Sequence, residues 1–445
     1  MNSRKLLAFL LALPAAFAAV PAAGEDLMDI YRQAQLADPS LAAARASWLA
    51  TQERAPQARA GLLPNVNLSA SANANDGYSN IRSNPSQQLS GNWQDYGLTL
   101  SASQPIYRYQ NVVAFEQSKR QVEQADYTLA SAQQDLIVRV AVTYFDVLLA
   151  QINIELAEAQ KAAVSEQLAQ AKRNFEVGTA TITDTNEAQA NFDQIVAQEI
   201  TARNEYDNRL AAIRAIIGRA PRDLKRFGGR FDPSPPEPNV LDTWVDRALK
   251  ENLAVRITQY TYDIATLEVD RQRAGHYPTL DLVGSLRQAG ATGSIGSDTT
   301  SHLRNIGIGV ALNVPLYQGG FVESRIREAI ALQDASRESL ELARRAALFN
   351  AQTGFTGVNS SVASVRAFTQ AVQSAEVAVQ SNRLGQEVGV RTTLDVLNVQ
   401  QNLFTQRRNL AQAYFNYLIS TLRLKSAVGT LTELDLEELN RRLER

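Results

Sequence analysis

The chain has 445 residues, with 44 basic and 46 acidic side chains, two histidines and no cysteine. The missing cysteine removes disulfides, thiol nucleophiles, Cys-ligated zinc or iron–sulfur centres and an N-terminal Cys lipid anchor. A formal charge of −2 speaks against a nucleic-acid partner, and two histidines speak against a multi-histidine metal site or cofactor.

Residues 1–23 read as an export signal. Arg4 and Lys5 give a positive start, Leu6 to Val20 carries no charge, and Pro21-Ala22-Ala23-Gly24 offers small residues for cleavage near Ala23 or Gly24. The apolar run is short for a spanning helix. Losing Arg4 and Lys5 leaves 42 basic against 46 acidic residues, a mature charge of −4. Beyond the signal no run of roughly 18 apolar residues follows, so no transmembrane helix is predicted. A membrane β-barrel stays open, because its signal per segment is weaker.

The rest is one unit written twice. Ala60-Gly61-Leu62-Leu63-Pro64 returns as Ala274-Gly275-His276-Tyr277-Pro278, and Gln104-Pro105-Ile106-Tyr107 as Val314-Pro315-Leu316-Tyr317. Val177-Gly178 with Asp184 returns as Val388-Gly389 with Asp395, and Ile217-Gly218 as Val428-Gly429. Four landmarks at one near-constant offset mark an internal repeat. Repeat 1 covers 24–218 with a hairpin at about 64–107, and repeat 2 covers 241–429 with a hairpin at about 278–317. Between them 219–240 is proline-rich and reads as a crossover linker; 430–445 is a C-terminal tail.

Each copy runs helical segment, two strands, very long helix, turn, long helix. Asn65 to Asn75 alternates strictly, with Val66, Leu68, Ala70, Ala72 and Ala74 on one face and Asn or Ser on the other. Tyr96 to Ser103, Leu280 to Arg287 and Ile306 to Asn313 alternate likewise, which predicts strands. The apolar faces carry Ala, Leu, Val and Ile rather than aromatic core filler. Aromatics gather near strand ends instead: Tyr78 and Trp93 at one, Tyr107, Tyr277 and Tyr317 at the other. That distribution fits interfacial girdles around a polar lumen. The polar stretches Gly77–Gln94 and Ala289–Arg304 read as exposed hairpin loops. Four strands cannot close a barrel, and open edges cannot face lipid, so strands must be pooled from several copies.

From Val112 to Phe175 there is neither proline nor glycine, enough for a helix on the order of 95 Å. Val122, Ala125, Leu129, Ala132, Leu136, Val140, Thr143, Val147, Ala150, Ile154 and Ala157 form a heptad-like seam. Val396, Val399, Leu403, Leu410, Ala413, Tyr417 and Leu424 form another. Both a solvated two-stranded coiled coil and a hollow tube of antiparallel helices satisfy these seams. At the turns, Gly178 and Gly389 stand as C-cap glycines. Thr181-x-x-Asp184 and Thr392-x-x-Asp395 resemble capping boxes, which gives both aspartates a structural role beside any other.

Nothing predicts an enzyme: nucleophile elbow, P-loop, HExxH and dinucleotide fingerprint are all absent. His276 and His302 lack an acidic partner by spacing and read as surface or interface residues. A soluble periplasmic coiled-coil adaptor is the competing reading, but it has no use for four spanning strands with a polar face.

At Phe175 to Asp184, Val388 to Leu397, Pro315 to Gly320 and Asn416 to Leu431 the chain resembles the TolC family of outer-membrane channel-tunnels. The resemblance covers essentially the whole mature chain. One departure is Tyr107-Arg108-Tyr109-Gln110, which lacks the glycine pair found at Gly319-Gly320. The resemblance implies a mostly α fold with a membrane β-barrel: a homotrimeric 12-stranded barrel in the bacterial outer membrane, continued by a periplasmic helical tunnel. A mixed α/β belt would involve Arg219–Val240 and the tail. Implied partners are the lipid bilayer, a periplasmic adaptor (membrane fusion) protein and an inner-membrane RND, ABC or MFS transporter, for efflux or type I secretion. The family's gate maps onto Arg391, bonding across to Thr183 and Asp184, and Asp395 would form an anionic ring. Gln386 stands where a gate Tyr is implied and Asn398 where a second ring Asp is implied. The turns at Val177-Gly178 and Val388-Gly389 would contact the adaptor.

Overall fold

A computed structural model describes residues 24–80, 88–225, 232–295 and 297–443; the expected signal lies outside them. Three short helices, α1 (Leu27–Ala37), α2 (Pro39–Gln52) and α3 (Arg54–Ala60), lead into strands β1 (Asn65–Asn80) and β2 (Gln88–Tyr107). Two long helices follow, α4 (Tyr109–Glu176) and α5 (Ile182–Ile217). The second copy gives α6 (Leu241–Glu251), α7 (Leu253–Arg273), β3 (Thr279–Ala291), β4 (Ser301–Asn313), α8 (Phe321–Glu387) and α9 (Thr393–Val428), and α10 (Glu433–Leu443) ends the chain.

The four strands form one antiparallel meander in the order β1-β2-β3-β4, leaving β1 and β4 as open edges. Register places Leu68, Leu100, Leu286 and Ile306 side by side in one row across the sheet. The next row on the opposite face is Asn67, Ser101, Ser285 and Gly307. One face is therefore aliphatic and the other polar, as a period of two requires. The aliphatic face is bare in the single chain, with Ile306 71% and Ile308 82% exposed. On the polar face the amides of Asn73 and Asn75 both donate to the Asp95 carboxylate.

The strands run further than their alternation indicated. Pairing continues through Gly77↔Gly91 to Asn80↔Gln88, and β3 and β4 pair out to Ala291↔Ser301. The Gly-, Ser- and Asn-rich stretches expected as loops are thus partly ladder. Backbone groups make the pairing whatever side chains they carry. Trp93 also departs from expectation. It sits opposite Asn75 on the polar side and packs where a Cβ on Gly77 would lie 3.3 Å from its ring. The aromatics of the aliphatic face at that end are Tyr96 and, farther out, the exposed Tyr78.

α4, 68 residues and about 100 Å long, pairs with α7 near the sheet and with α5 farther away, and α8 does the same with α7 and α9. The main core sits midway. Leu136, Val140, Tyr144, Phe145 and Leu148 of α4 are buried with Leu27 and Tyr31 of α1, Ile213 of α5, Phe415 and Leu418 of α9, and Leu436 of α10. Phe145 stacks on Phe415 with centroids 5.5 Å apart. Each such fully buried side chain contributes about 1.5–3 kcal/mol. α4 is also the one described helix apolar and long enough to cross a membrane by composition. That was not expected from the sequence; the packing of α1, α9 and α10 on its apolar stretch makes it core. Toward the far ends the helices hold only small clusters, such as Val372, Ala375, Val379 and Leu403, or Leu168, Ala171 and Ala188.

The expected α/β belt is mostly helical. The described linker contributes a single parallel bridge, Glu25↔Leu224, and the tail forms α10. Asn440 of α10 accepts from the Leu27 N–H at 3.2 Å, tying the two ends of the chain together.

Candidate functional site

The far ends of the two long helical pairs are built alike. Gly178 and Gly389 both have φ of 79°, a left-handed conformation that glycine adopts without a Cβ clash. The Val177 N–H donates to the Arg173 carbonyl at 3.1 Å, and the Thr179 and Ala180 N–H groups both donate to that of Asn174. In the second turn Val388 donates to Leu384 at 3.1 Å, and Val390 and Arg391 both donate to Gly385.

Each turn ends in a reciprocal capping box. The Thr181 N–H donates to the Asp184 carboxylate at 2.8 Å, and the Asp184 N–H donates back to the Thr181 hydroxyl at 3.2 Å. Thr392 and Asp395 repeat this at 2.9 and 3.1 Å. Such caps contribute about 1 kcal/mol each to the helix they start. The backbone N–H and hydroxyl of Thr181 hold the Asp184 carboxyl below the usual carboxylate value. Those of Thr392, aided by the charge of Arg391, do the same for Asp395. Both aspartates are therefore anionic throughout the neutral range.

Arg391 is exposed and lies over Gly385: a Cβ built there would fall 2.7 Å from the Arg391 Cγ. Within this one chain Arg391 acts on Asp395. Among the described residues no hydrogen bond or ion pair joins it to Thr183 or Asp184, which lie on the other tip. Thr183 and Asn398 are exposed; Asn398 sits one turn into α9 beyond Asp395. Gln386 is half-buried, and its carbonyl accepts from the Gly389 N–H at 3.1 Å.

The tips are more apolar than their turn sequences indicated. Besides Val177 (74% exposed) and Val388, the side chains of Phe175, Ile182, Leu384, Val390 and Leu394 stand in the open. The sequence reading missed these last five. The histidines are also less isolated than their spacing indicated. His276 Nε2 lies 3.3 Å from Glu323, and His302 Nδ1 lies 3.0 Å from the Tyr96 hydroxyl.

An unclosed sheet with one bare aliphatic and one polar face, continued by very long paired helices with polar-capped tips, defines a channel of the barrel-and-tunnel class. A family model described as outer membrane efflux protein matches residues 30–219 and 244–430, and the chain belongs to that family. It is 35% identical to the outer membrane protein TolC of Vibrio cholerae, over 94% of this chain and 93% of that one. It is 34% identical to the alkaline protease secretion protein AprF of Pseudomonas aeruginosa, over 92% and 86% of the two chains. The solved Campylobacter jejuni CmeC outer membrane channel superposes with a TM-score of 0.79 at 17% identity, over 95% of this chain and 90% of that one.

Proposed function

We propose that three copies of this outer-membrane channel pool their four-stranded sheets into a 12-stranded barrel and their helical pairs into one periplasmic tunnel. The product is an exit duct for tripartite efflux pumps or type I secretion. Its work is passage, not catalysis. The carrying observation is the pair of open edges, β1 and β4, on a sheet whose aliphatic face is bare. Unpaired backbone groups cannot face hydrocarbon, so the edges must be closed by neighbouring copies. A soluble adaptor would leave both edges and that face without a use. Detergent should extract from the outer-membrane fraction a particle of three chains with a stalk of ~100 Å, from the helix rise. A water-soluble monomer in the periplasmic fraction would overturn the proposal.

The tips serve as gate and docking point in this reading. Arg391 reaches Thr183 and Asp184 of a neighbouring tip and holds the entrance closed. The exposed apolar residues around Val177, Gly178, Val388 and Gly389 receive the adaptor, which joins the duct to an inner-membrane RND, ABC or MFS transporter. Asp395, repeated by symmetry, forms an anionic ring at the constriction. Asn398 supplies no second ring and Gln386 no tyrosine hydroxyl, so selectivity rests on Asp395 alone. In planar bilayers Asp395→Asn should shift the reversal potential toward zero under a salt gradient, a several-fold fall in cation preference. An unchanged reversal potential would leave Asp395 a helix cap only.

A further inference from the structure

The aliphatic face of the sheet changes character in the last two rows to which β3 and β4 contribute. Above the row Leu68, Leu100, Leu286, Ile306 comes Ala70, Leu98, Gln288, Arg304, and then Ala72, Tyr96, Gly290, His302. Arg304, His302 and Gln288 thus share the face that carries Ile306, Ile308, Val310 and Leu312, and all three are exposed. Tyr96 lies across Gly290, where a Cβ would fall 2.4 Å from its ring, and its hydroxyl reaches His302 Nδ1 at 3.0 Å. The imidazole is held by one nitrogen, leaving the other free of that contact.

A guanidinium on a lipid-facing strand costs about 2–4 kcal/mol at the bilayer midplane and about 0–1 near an interface. Its height therefore decides what it meets. Arg304 is ten residues from Val314. At about 3.4 Å per residue and a tilt near 45°, that spans roughly 24 Å, close to the roughly 25 Å apolar band of outer-membrane barrels. The tunnel helices leave the opposite end of the sheet. Arg304 and His302 thus stand at the outer rim, level with the headgroups of the external leaflet.

We infer that Arg304, with His302 and Gln288, forms a binding site for a phosphate of the glycolipid that makes up the outer leaflet, one site per chain. Guanidinium binds phosphate through paired charge-assisted hydrogen bonds, and the adjoining Ile306, Ile308 and Leu98 offer an apolar surface to its acyl chains. The inference rests on the outer-membrane placement proposed above. If the protein is extracted as an outer-membrane oligomer yet ignores Arg304, this inference alone fails.

Native mass spectrometry of the detergent-extracted full-length protein, titrated with bisphosphorylated lipid A, tests it. The expected result is retention of up to one lipid A per chain, weakened about tenfold by Arg304→Gln, the size of one charge-assisted hydrogen bond. His302→Ala should weaken it less, by about threefold on the same scale. Arg287→Gln removes the same charge from the polar face one rung away, beside Thr99 and Asn305, and should change nothing. Equal retention of dephosphorylated lipid A, an equal loss with Arg287→Gln, or equally tight binding of phosphatidylglycerol or inorganic phosphate would each overturn the assignment.

Discussion

Substituting alanine for Gly385 is expected to raise the basal conductance of the assembled channel almost as far as Arg391→Ser does. Glycine in a helix is ordinarily about 0.5–1 kcal/mol worse than alanine, so Gly385→Ala should not unfold α8. The internal repeat supplies the control. In the first tip Asn174 occupies the matching place and accepts the same two turn hydrogen bonds, so the turn itself does not require glycine. What differs is the residue six positions on: Ala180 in the first tip, Arg391 in the second. The Arg391 stem rests where a Cβ at 385 would be, 2.7 Å from its Cγ. Because that atom belongs to the stem, alanine must turn the whole side chain away from its direction. A charge-assisted hydrogen bond contributes about 1.5–3 kcal/mol, and each ~1.4 kcal/mol is tenfold in an equilibrium. Losing even one should shift the closed-to-open ratio about tenfold. Planar-bilayer recordings of the wild type, Gly385→Ala, Arg391→Ser and the double variant separate the roles. If Gly385 acts by aiming Arg391, the double variant conducts no more than Arg391→Ser alone. Additive increases would mean that Gly385 acts on the turn, and a wild-type conductance for Arg391→Ser would remove Arg391 from the gate.

What the sequence displayed and what it hid divide along the range of the interaction. The capping boxes at Thr181/Asp184 and Thr392/Asp395 are contacts over three residues, so their T-x-x-D spelling was legible and the structure forms both. The long helices were equally legible, because proline and glycine are absent from Val112 to Phe175 and α4 takes up that whole stretch. The ends of the strands were not. Gly77 and Gly91 carry no strand preference of their own and extend the ladder only because each is the other's partner. The face of Trp93 was hidden for the same reason, whereas Tyr78 lies on the aliphatic face as a girdle residue would. Register puts Trp93 on the polar face and lays Tyr96 across a glycine nearly two hundred positions away, toward His302. Gly385 was passed over because a glycine in a last helical turn looks like fraying, and only the fold brings Arg391 back onto it.

Another contact between residues far apart in sequence governs the second large effect. Where the second copy leaves its strand through Gly319 and Gly320, with φ of 60° and 79°, the first copy places Arg108 at φ −138°. Its guanidinium grips Asp281 of β3 with two parallel hydrogen bonds, Nε to Oδ1 at 2.8 Å and the second at 2.6 Å. Asp281 is buried, at 8% exposure, so the junction between sheet and tunnel holds a carboxylate that depends on this one arginine. Removing a partner from a fully buried pair costs about 3–5 kcal/mol. The Arg108 side chain is 42% exposed, so the expected loss for Arg108→Ala is nearer 1–3 kcal/mol, roughly that of charge-assisted hydrogen bonds. The double variant Arg108→Ala/Asp281→Ala should recover much of that loss, because no unpaired charge stays buried. Arg108→Gly should rescue nothing, since the backbone at 108 is not left-handed and the glycine pair of the other copy has no counterpart to fill. Thermal unfolding of the detergent-extracted protein, followed by circular dichroism, should then rank the double variant above both Arg108→Ala and Arg108→Gly. A double variant less stable than Arg108→Ala would mean that Asp281 supports the junction through contacts other than this pair.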